Sequence, residues 1–523
     1  MYDYVIVGAG SAGCVLAARL SEDPAAQVAL IEAGGRDDAE EIHVPAAFGA
    51  LFKGRHDWDL DSDAEPGLDG RRLYLPRGRV LGGCSSINAM VYVRGNRVDY
   101  DDWAAGGAIG WSFDEVLPHF KRSEDNERGA GDLHGVGGPL AVADNRSGIA
   151  LTEAFVAACV EAGHPPNDDF NGPRQDGAGR FQVTQRDGMR SSASTAFLRP
   201  AEGRPNLTVL TDARALRLVL DGGRARGVEV ERHGIVETIE GAEIVLSAGA
   251  YASPQLLLLS GIGPADELAA LGIEPVVDLP VGRGLQDHPM ALLNWAADGG
   301  SLLTAMSPEN VALLRGAGRG PLTSNVAEAG AFVRTRPELR APDVQFHFAP
   351  VLFRGEGLVP ADRHGFAFGP TLVKPTSRGA VTLRTAQPDS APRIVHRYLE
   401  TPEDRAAMVA GLRMALGIAD APALRDVATA PLVVPDGDGD EALLRFLRRV
   451  TQTVYHPTST CAIGSVVDPA LRVLGVDGLR VADASVMPSV PRGNTNAPTI
   501  MVAEKAAALL AAASTPTGAA TSA

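Results

Sequence analysis

The chain of 523 residues carries a formal net charge of −16 and 45% hydrophobic residues, enough apolar content for large cores and the wrong sign for nucleic acid or anionic membrane surfaces as partners. Its four cysteines, Cys14, Cys84, Cys159 and Cys461, stand far apart in sequence, which excludes a CxxC redox pair and a sequence-local zinc site. No metal site is expected, and a reducing cytosol suits these cysteines.

Tyr4 to Val7 reads as a short apolar strand that opens at once into Gly8-Ala9-Gly10-Ser11-Ala12-Gly13. It begins so near Met1 that no room is left for a leader, and a cytoplasmic location is expected. Ala12 to Leu20 has the small and aliphatic residues of a buried helix, and Val28 to Ile31 is a second apolar strand ending at Glu32. Strand, glycine turn, helix, strand and acid in this order form a dinucleotide-binding fingerprint. Gly8 permits the turn, Gly10 lets backbone approach a pyrophosphate, and Gly13 lets helix and strand pack closely. The helix N-terminus attracts the phosphate charge. Glu32 is placed to accept from ribose hydroxyls, and its charge disfavours a 2′-phosphate.

An irregular excursion follows from Gly34 to Leu75, holding Trp58 and the turn-prone Pro66-Gly67 and Asp69-Gly70. The run Gly82-Gly83-Cys84-Ser85-Ser86 suits a close backbone approach to a ligand better than any regular element. Helices are expected over Phe113 to Lys121 and Leu151 to Ala162. Strands are expected over Leu207 to Leu210, Leu216 to Leu220, Gly227 to Glu231 and Ile244 to Ser247, with Asp221-Gly222-Gly223 as a hairpin turn. Ile244 to Gly263 is the most apolar segment. Ser247, Ser253, Pro254 and Ser260 mark it as strand, loop and helix, so no membrane span is expected. Val344 to Phe348 and Ala380 to Leu383 read as strands, Arg405 to Ile418 and Glu441 to Val450 as helices. Leu479 to Ala482 is a last strand, and Pro498 to Leu510 a helix with proline in its first turn.

The segment Pro76 to Met90 resembles the first signature of the glucose-methanol-choline (GMC) family of flavin oxidoreductases, and Gly249 to Gly263 resembles the second. Tyr455-His456-Pro457 and the stretch from Asp483-Ala484-Ser485 through Gly493-Asn494-Thr495-Asn496-Ala497-Pro498-Thr499 are similar to the family's C-terminal region. The resemblance spans residues 1 to 510. It implies an α/β (α+β overall) fold: a Rossmann-type FAD-binding domain over 1–290, with residues 150–190 contributing to the substrate side. A substrate domain on an antiparallel sheet with helices would cover 291–450. The chain would return to the first domain over 451–512, before a disordered tail, 513–523.

It also implies FAD-dependent oxidation of an alcohol, with oxygen or an external acceptor taking the electrons. His456 would be the base, since a neutral imidazole titrates near working pH. Asn494 would hold the substrate oxygen. Asn496 competes for that role with a reading as a helix cap. Contacts to FAD would come from Gly8, Gly10, Ser11, Gly13, Glu32, Ala33, Val80, Gly83, Asn88, Ala89, Val91, Ala215, Ala248, Gly249, Asp483, Ala484, Thr495 and Pro498, the last opening a helix whose positive end faces the flavin. Some choline-oxidising members tether FAD through a histidine at the position of Ile87, so the flavin here should be non-covalent. A hydroxynitrile lyase or photodecarboxylase on this scaffold, or a flavin binder without catalysis, is the alternative.

Overall fold

The computed structural model describes residues 1–514, and the fold rests on two large sheets. The first has seven strands and begins with β1 (Tyr2–Val7). The chain turns into helix α1 (Ser11–Leu20) and returns as β2 (Val28–Ile31), parallel to β1 and paired Val5↔Ala29. Leu207–Leu210 lies parallel on the far side of β2, and Leu479–Val481 adds a parallel edge beyond Ile235–Leu246. All four residues of β2 are buried, the continuous apolar pattern of a strand covered on both faces.

Ala213–Asp221, Arg224–Arg232 and Ile235–Leu246 form an antiparallel ribbon whose last strand continues into the parallel sheet beside β1. The expected strand Ile244 to Ser247 is therefore the buried end of one 12-residue strand. Its first half is exposed and mixes Ile235, Val236 and Ile239 with Glu237, Thr238 and Glu240, so a continuous apolar run marks only the second half.

The second sheet has eight strands, all antiparallel. Its main path runs Ala428–Val433, Leu293–Ala297, Gly365–Leu372, Val344–Ala349, Ala329–Val333 and Gly177–Arg180. A core of Phe155, Phe346, Phe348, Phe366, Phe368 and Trp295 packs on it under the helix Pro402–Ala419. Phe155 stacks on Phe348 at 4.7 Å, and Trp295 on Phe368 at 5.0 Å.

The chain crosses between the sheets at two adjacent places. Pro289–Met290 on the outbound crossing pairs antiparallel with Gln452–Thr453 on the return, and Gln286 bridges to Thr458. Thr453 thus belongs to the second sheet's rim, and the crossings, far apart in sequence, run side by side. The C-terminal helix spans Asn496–Ser514. It starts two residues before the expected Pro498 and takes in 513 and 514, the first residues of the expected tail. The rest of that tail, 515–523, lies outside the described residues. No helix among the described residues is long and apolar enough to cross a membrane.

Candidate active site

The turn after β1 is built by glycine. Gly8 has φ +99°, and a Cβ at Gly13 would stand 1.8 Å from the Gly8 carbonyl oxygen, so only hydrogen fits between helix and turn. Gly10 caps α1 without a side-chain hydrogen bond, and no side chain occupies the first-turn N–H groups. Gly83 crosses directly above, where a Cβ would come within 2.7 Å of the Gly10 Cα.

Glu32 accepts from the Ala9 N–H at 2.9 Å and from the Gly34 N–H at 2.9 Å. Burial pushes its carboxyl up to about 7 against the pull of those N–H groups and of Arg79. The acid therefore shapes the turn as well as facing the ligand space.

A cavity of about 490 Å³ runs from this turn to the seam between the two sheets. Gly8, Gly10, Ser11, Glu32, Ala33, Gly83, Asn88, Ala89, Val91, Ala215, Ala248, Gly249, Asp483, Ala484, Asn494, Thr495, Asn496 and His456 all line it. Three expected contact residues do not. Gly13 acts through the packing just described. Val80 sits beneath the loop in an apolar cluster with Ile42, Leu51 and Ile87, drawn there by its side chain. Pro498 is buried behind the first turn of the C-terminal helix, because the helix starts at Asn496 and puts Thr495, Asn496 and Thr499 on the cavity side.

Arg190 holds the glycine-rich loop from below, donating to Ser85 O at 3.1 Å and to Asn88 O at 2.7 Å. Asp483 accepts from Gly249 N at 2.9 Å and from the Ser253 hydroxyl at 2.5 Å, tying the last strand to the second signature helix.

At the seam, Asn494 and His456 meet. Gln345 Nε2 donates to Asn494 Oδ1 at 3.1 Å, which turns the Asn494 amide nitrogen toward His456 Nε2 at 3.3 Å. An amide N–H can only donate, so Nε2 is the accepting nitrogen and the ring proton sits on Nδ1. That nitrogen faces His288 Nδ1 at 3.0 Å and donates to it. Burial holds the His456 imidazole well below 6.5, with the neighbouring His288, His347 and Arg77 acting in the same direction. Asn496 points elsewhere: its Oδ1 accepts from the Ser11 hydroxyl at 2.8 Å, so it belongs to the dinucleotide turn, and it lies inside the helix rather than capping it.

His288 and Asp287 were not legible as site residues. Asp287 Oδ1 accepts from the backbone N–H of His288 at 2.8 Å and of His456 at 2.7 Å. Its Oδ2 accepts from the Tyr398 and Thr453 hydroxyls, each at 2.5 Å. One buried carboxylate thus pins both crossings. Tyr455, just before His456, is held in the left-handed region at φ 70°, a conformation costing about 1 kcal/mol or more for such a residue. Thr453 Oγ1 and Arg77 fix it there, accepting from Tyr455 N at 2.6 Å and donating to Tyr455 O at 3.0 Å. The signal that could have found this site is Gln286-Asp287-His288-Pro289, a polar run leading into Pro289–Met290, a short strand of the second sheet.

The uncapped helix end, the crossing glycine loop and the acid at the end of β2 suit the pyrophosphate and ribose of a dinucleotide. The family models for GMC oxidoreductase match residues 2–290 and 375–503. The chain belongs to the GMC oxidoreductase family. An uncharacterized GMC-type oxidoreductase of Mycobacterium tuberculosis (strain CDC 1551 / Oshkosh) is 49% identical over 97% of this chain and 99% of its own length. An alcohol dehydrogenase [acceptor] of Pseudomonas putida is 42% identical over 98% of this chain and 96% of its own. The crystal structure of pyridoxine 4-oxidase from Mesorbium loti superposes with a TM-score of 0.89 at 34% identity, covering 97% of this chain and 99% of that one.

As a GMC oxidoreductase the chain is an FAD-dependent enzyme that oxidises alcohols. The lyase alternative is not favoured by these relatives. The GMC fold accounts for both sheets: the parallel sheet carries the dinucleotide turn, and the antiparallel one closes over it at the seam.

Proposed function

We propose that His456 is the base and Asn494 the oxygen-holding group in oxidation of an alcohol to its carbonyl. The observation that carries this reading is the pair His456 Nε2 and Asn494 Nδ2, 3.3 Å apart and both lining the cavity. A substrate hydroxyl entering between them donates its proton to Nε2 while its oxygen accepts from the Asn494 amide. His456 already carries a proton on Nδ1, so the proton it gains makes an imidazolium, and the Nδ1–H···His288 hydrogen bond fixes the ring through the transfer. FAD, when bound, supplies the acceptor for the hydride that leaves the carbinol carbon, so the products balance as carbonyl, proton and two-electron-reduced cofactor.

Gly8, Gly10, Ser11, Gly83, Glu32 and Ala33 would hold the pyrophosphate and ribose, and Asn88, Ala89, Thr495 and the C-terminal helix end the flavin. Ile87 offers no nucleophile for a covalent link, so FAD is bound non-covalently. The electrons leave to dioxygen or to an external acceptor. The four free cysteines suit a reducing cytosol.

The test is anaerobic mixing of the FAD-loaded enzyme with an alcohol panel. Bleaching of the flavin absorbance by an alcohol, and none by NADH or NADPH, is the expected result. Bleaching by NADPH alone overturns the reading, because the described residues carry a single dinucleotide turn of this kind, which FAD would fill.

A further inference from the structure

A group of apolar and aromatic side chains lines the cavity that also holds His456. Phe48, Phe52, Val326, Ala349, Phe353 and Tyr455 line it. Phe48, Val326 and Ala349 form one buried cluster, with Phe52 and Ala89 packed against it. Phe52 sits edge-on to Phe48 at 5.6 Å and to Tyr455 at 6.1 Å. Phe353 closes on the same ring: a Cβ built on Gly357 would come within 2.7 Å of Phe353 Cζ and 3.3 Å of Phe52 Cε2. Among the polar residues of the same lining, His456, Asn494 and His347 are close neighbours.

No carboxylate serves the chamber. Of the acids lining the cavity, Glu32 is held by the dinucleotide turn and Asp483 by Gly249, Ser253 and Ser485. Asp389 follows Pro388, whose carbonyl accepts from Arg214 at 2.6 Å, next to Ala215 at the far end. Behind the aromatic wall, Asp57 accepts from the Tyr74 hydroxyl and from the N–H groups of Lys53 and Arg77. Glu356 accepts from Tyr74 N at 2.6 Å. Asp287, behind His456, is taken up by the N–H groups of His288 and His456 and the hydroxyls of Tyr398 and Thr453, and the charged side chain lining the cavity next to Tyr455 is Arg77, donating to Tyr455 O and standing 5.6 Å over the Tyr251 ring. Arg77 turns its hydrogen bonds to Pro76 O and Tyr455 O rather than to an acid.

Resting on the proposed roles of His456 and Asn494, we infer that the substrate is an uncharged alcohol whose hydroxyl carbon bears an aromatic or bulky apolar group, and that quaternary-ammonium alcohols are rejected. Aromatic faces attract a desolvated ammonium by about 2 kcal/mol, but entering this chamber strips its water with no carboxylate on the chamber wall to meet it and with the Arg77 guanidinium beside Tyr455 opposing it. A flat apolar body meets no such penalty and buries its surface against the six walls.

The experiment uses the FAD-loaded enzyme and two readouts. First, toluene and tetramethylammonium, neither of which can react, are titrated against the flavin absorbance. Toluene should saturate and tetramethylammonium should leave the spectrum unchanged. Second, anaerobic flavin reduction is compared for benzyl alcohol, choline, glycolate and ethanol. Benzyl alcohol should exceed choline and glycolate at least tenfold in reduction rate over apparent Kd, and Phe353→Ala should narrow the benzyl-to-ethanol ratio by about tenfold, the scale of a lost apolar contact in a specificity pocket. Phe52→Leu is the companion variant, milder in volume, and should narrow the ratio in the same direction.

Choline or glycolate matching benzyl alcohol while the flavin still bleaches overturns the substrate class and leaves the alcohol chemistry standing. Toluene binding with no bleaching by any alcohol overturns the chemistry, and the inference falls with it. An unchanged benzyl-to-ethanol ratio in both variants also refutes the assignment of this chamber.

Discussion

Acidification separates a buried base from an exposed one. At pH 5.5 an imidazole with the ordinary value of about 6.5 is about 9% neutral, so a rate that needs neutral base would fall about tenfold between pH 7.5 and 5.5. His456 is held well below 6.5 chiefly by burial, with His288, His347 and Arg77 acting in the same direction. The acid limb of flavin reduction should therefore lie below that of a free imidazole, and the fall between pH 7.5 and 5.5 should be clearly smaller than tenfold. The fall should come at more acid pH, in a single step.

The assay is anaerobic stopped-flow reduction at saturating alcohol, with His456→Ala measured beside the wild type. The variant should lose about 10²–10⁴ in rate, the usual worth of a positioned base, and regain part of it at high pH, where an alkoxide forms without help. Asn494→Ala should slow reduction and leave the acid step where it is, since an amide carries no titrating proton. A tenfold loss already present at pH 5.5 in the wild type would show that the packing does not depress the base. A wild-type rate in His456→Ala would refute its role outright.

Three further outcomes follow from the same geometry. Glu32→Ala strands the Ala9 and Gly34 N–H groups and removes a ribose acceptor, so FAD affinity measured on apoprotein should weaken by about 1–3 kcal/mol; an unchanged titration would count against Glu32. With Ile87 in place of a nucleophile, acid precipitation should leave all flavin in the supernatant, and yellow colour in the pellet would disprove non-covalent binding. Finally, His288 and His347 are each pushed down to about 4, chiefly by burial, while the unfolded chain takes up protons at about 6.5. Their folded-state values lie below the unfolded ones, so stability is full above about pH 6.5 and is lost as pH falls toward 4. Each costs about 2 kcal/mol at pH 5. The thermal midpoint should drop from pH 8 to pH 5 in the wild type and drop less in His347→Asn; equal drops would assign the acid sensitivity to other groups.

Sequence by itself determined the dinucleotide half of this protein. Its devices are local: a positive-φ glycine, a missing Cβ at Gly13 and an acid at the end of the next strand each act within some thirty residues, so their order along the chain is their arrangement in space. The helix start at Asn496, two residues before the proline, and the exposed first half of Ile235–Leu246 escaped because a helix terminus is weakly marked and an exposed ribbon of mixed Ile, Val, Glu and Thr has no regular apolar period.

The seam was decided by tertiary structure alone. Asp287 and His288 become site residues only because the outbound and returning crossings pair, Pro289↔Thr453 and Gln286↔Thr458, and no local pattern records a pairing between segments so far apart in sequence. The same holds for the aromatic chamber. Phe48 and Phe52 come from the N-terminal excursion, Val326 and Phe353 from the antiparallel sheet's loops, and Tyr455 from the return crossing, and side chains from three distant segments form one surface only after both sheets have packed.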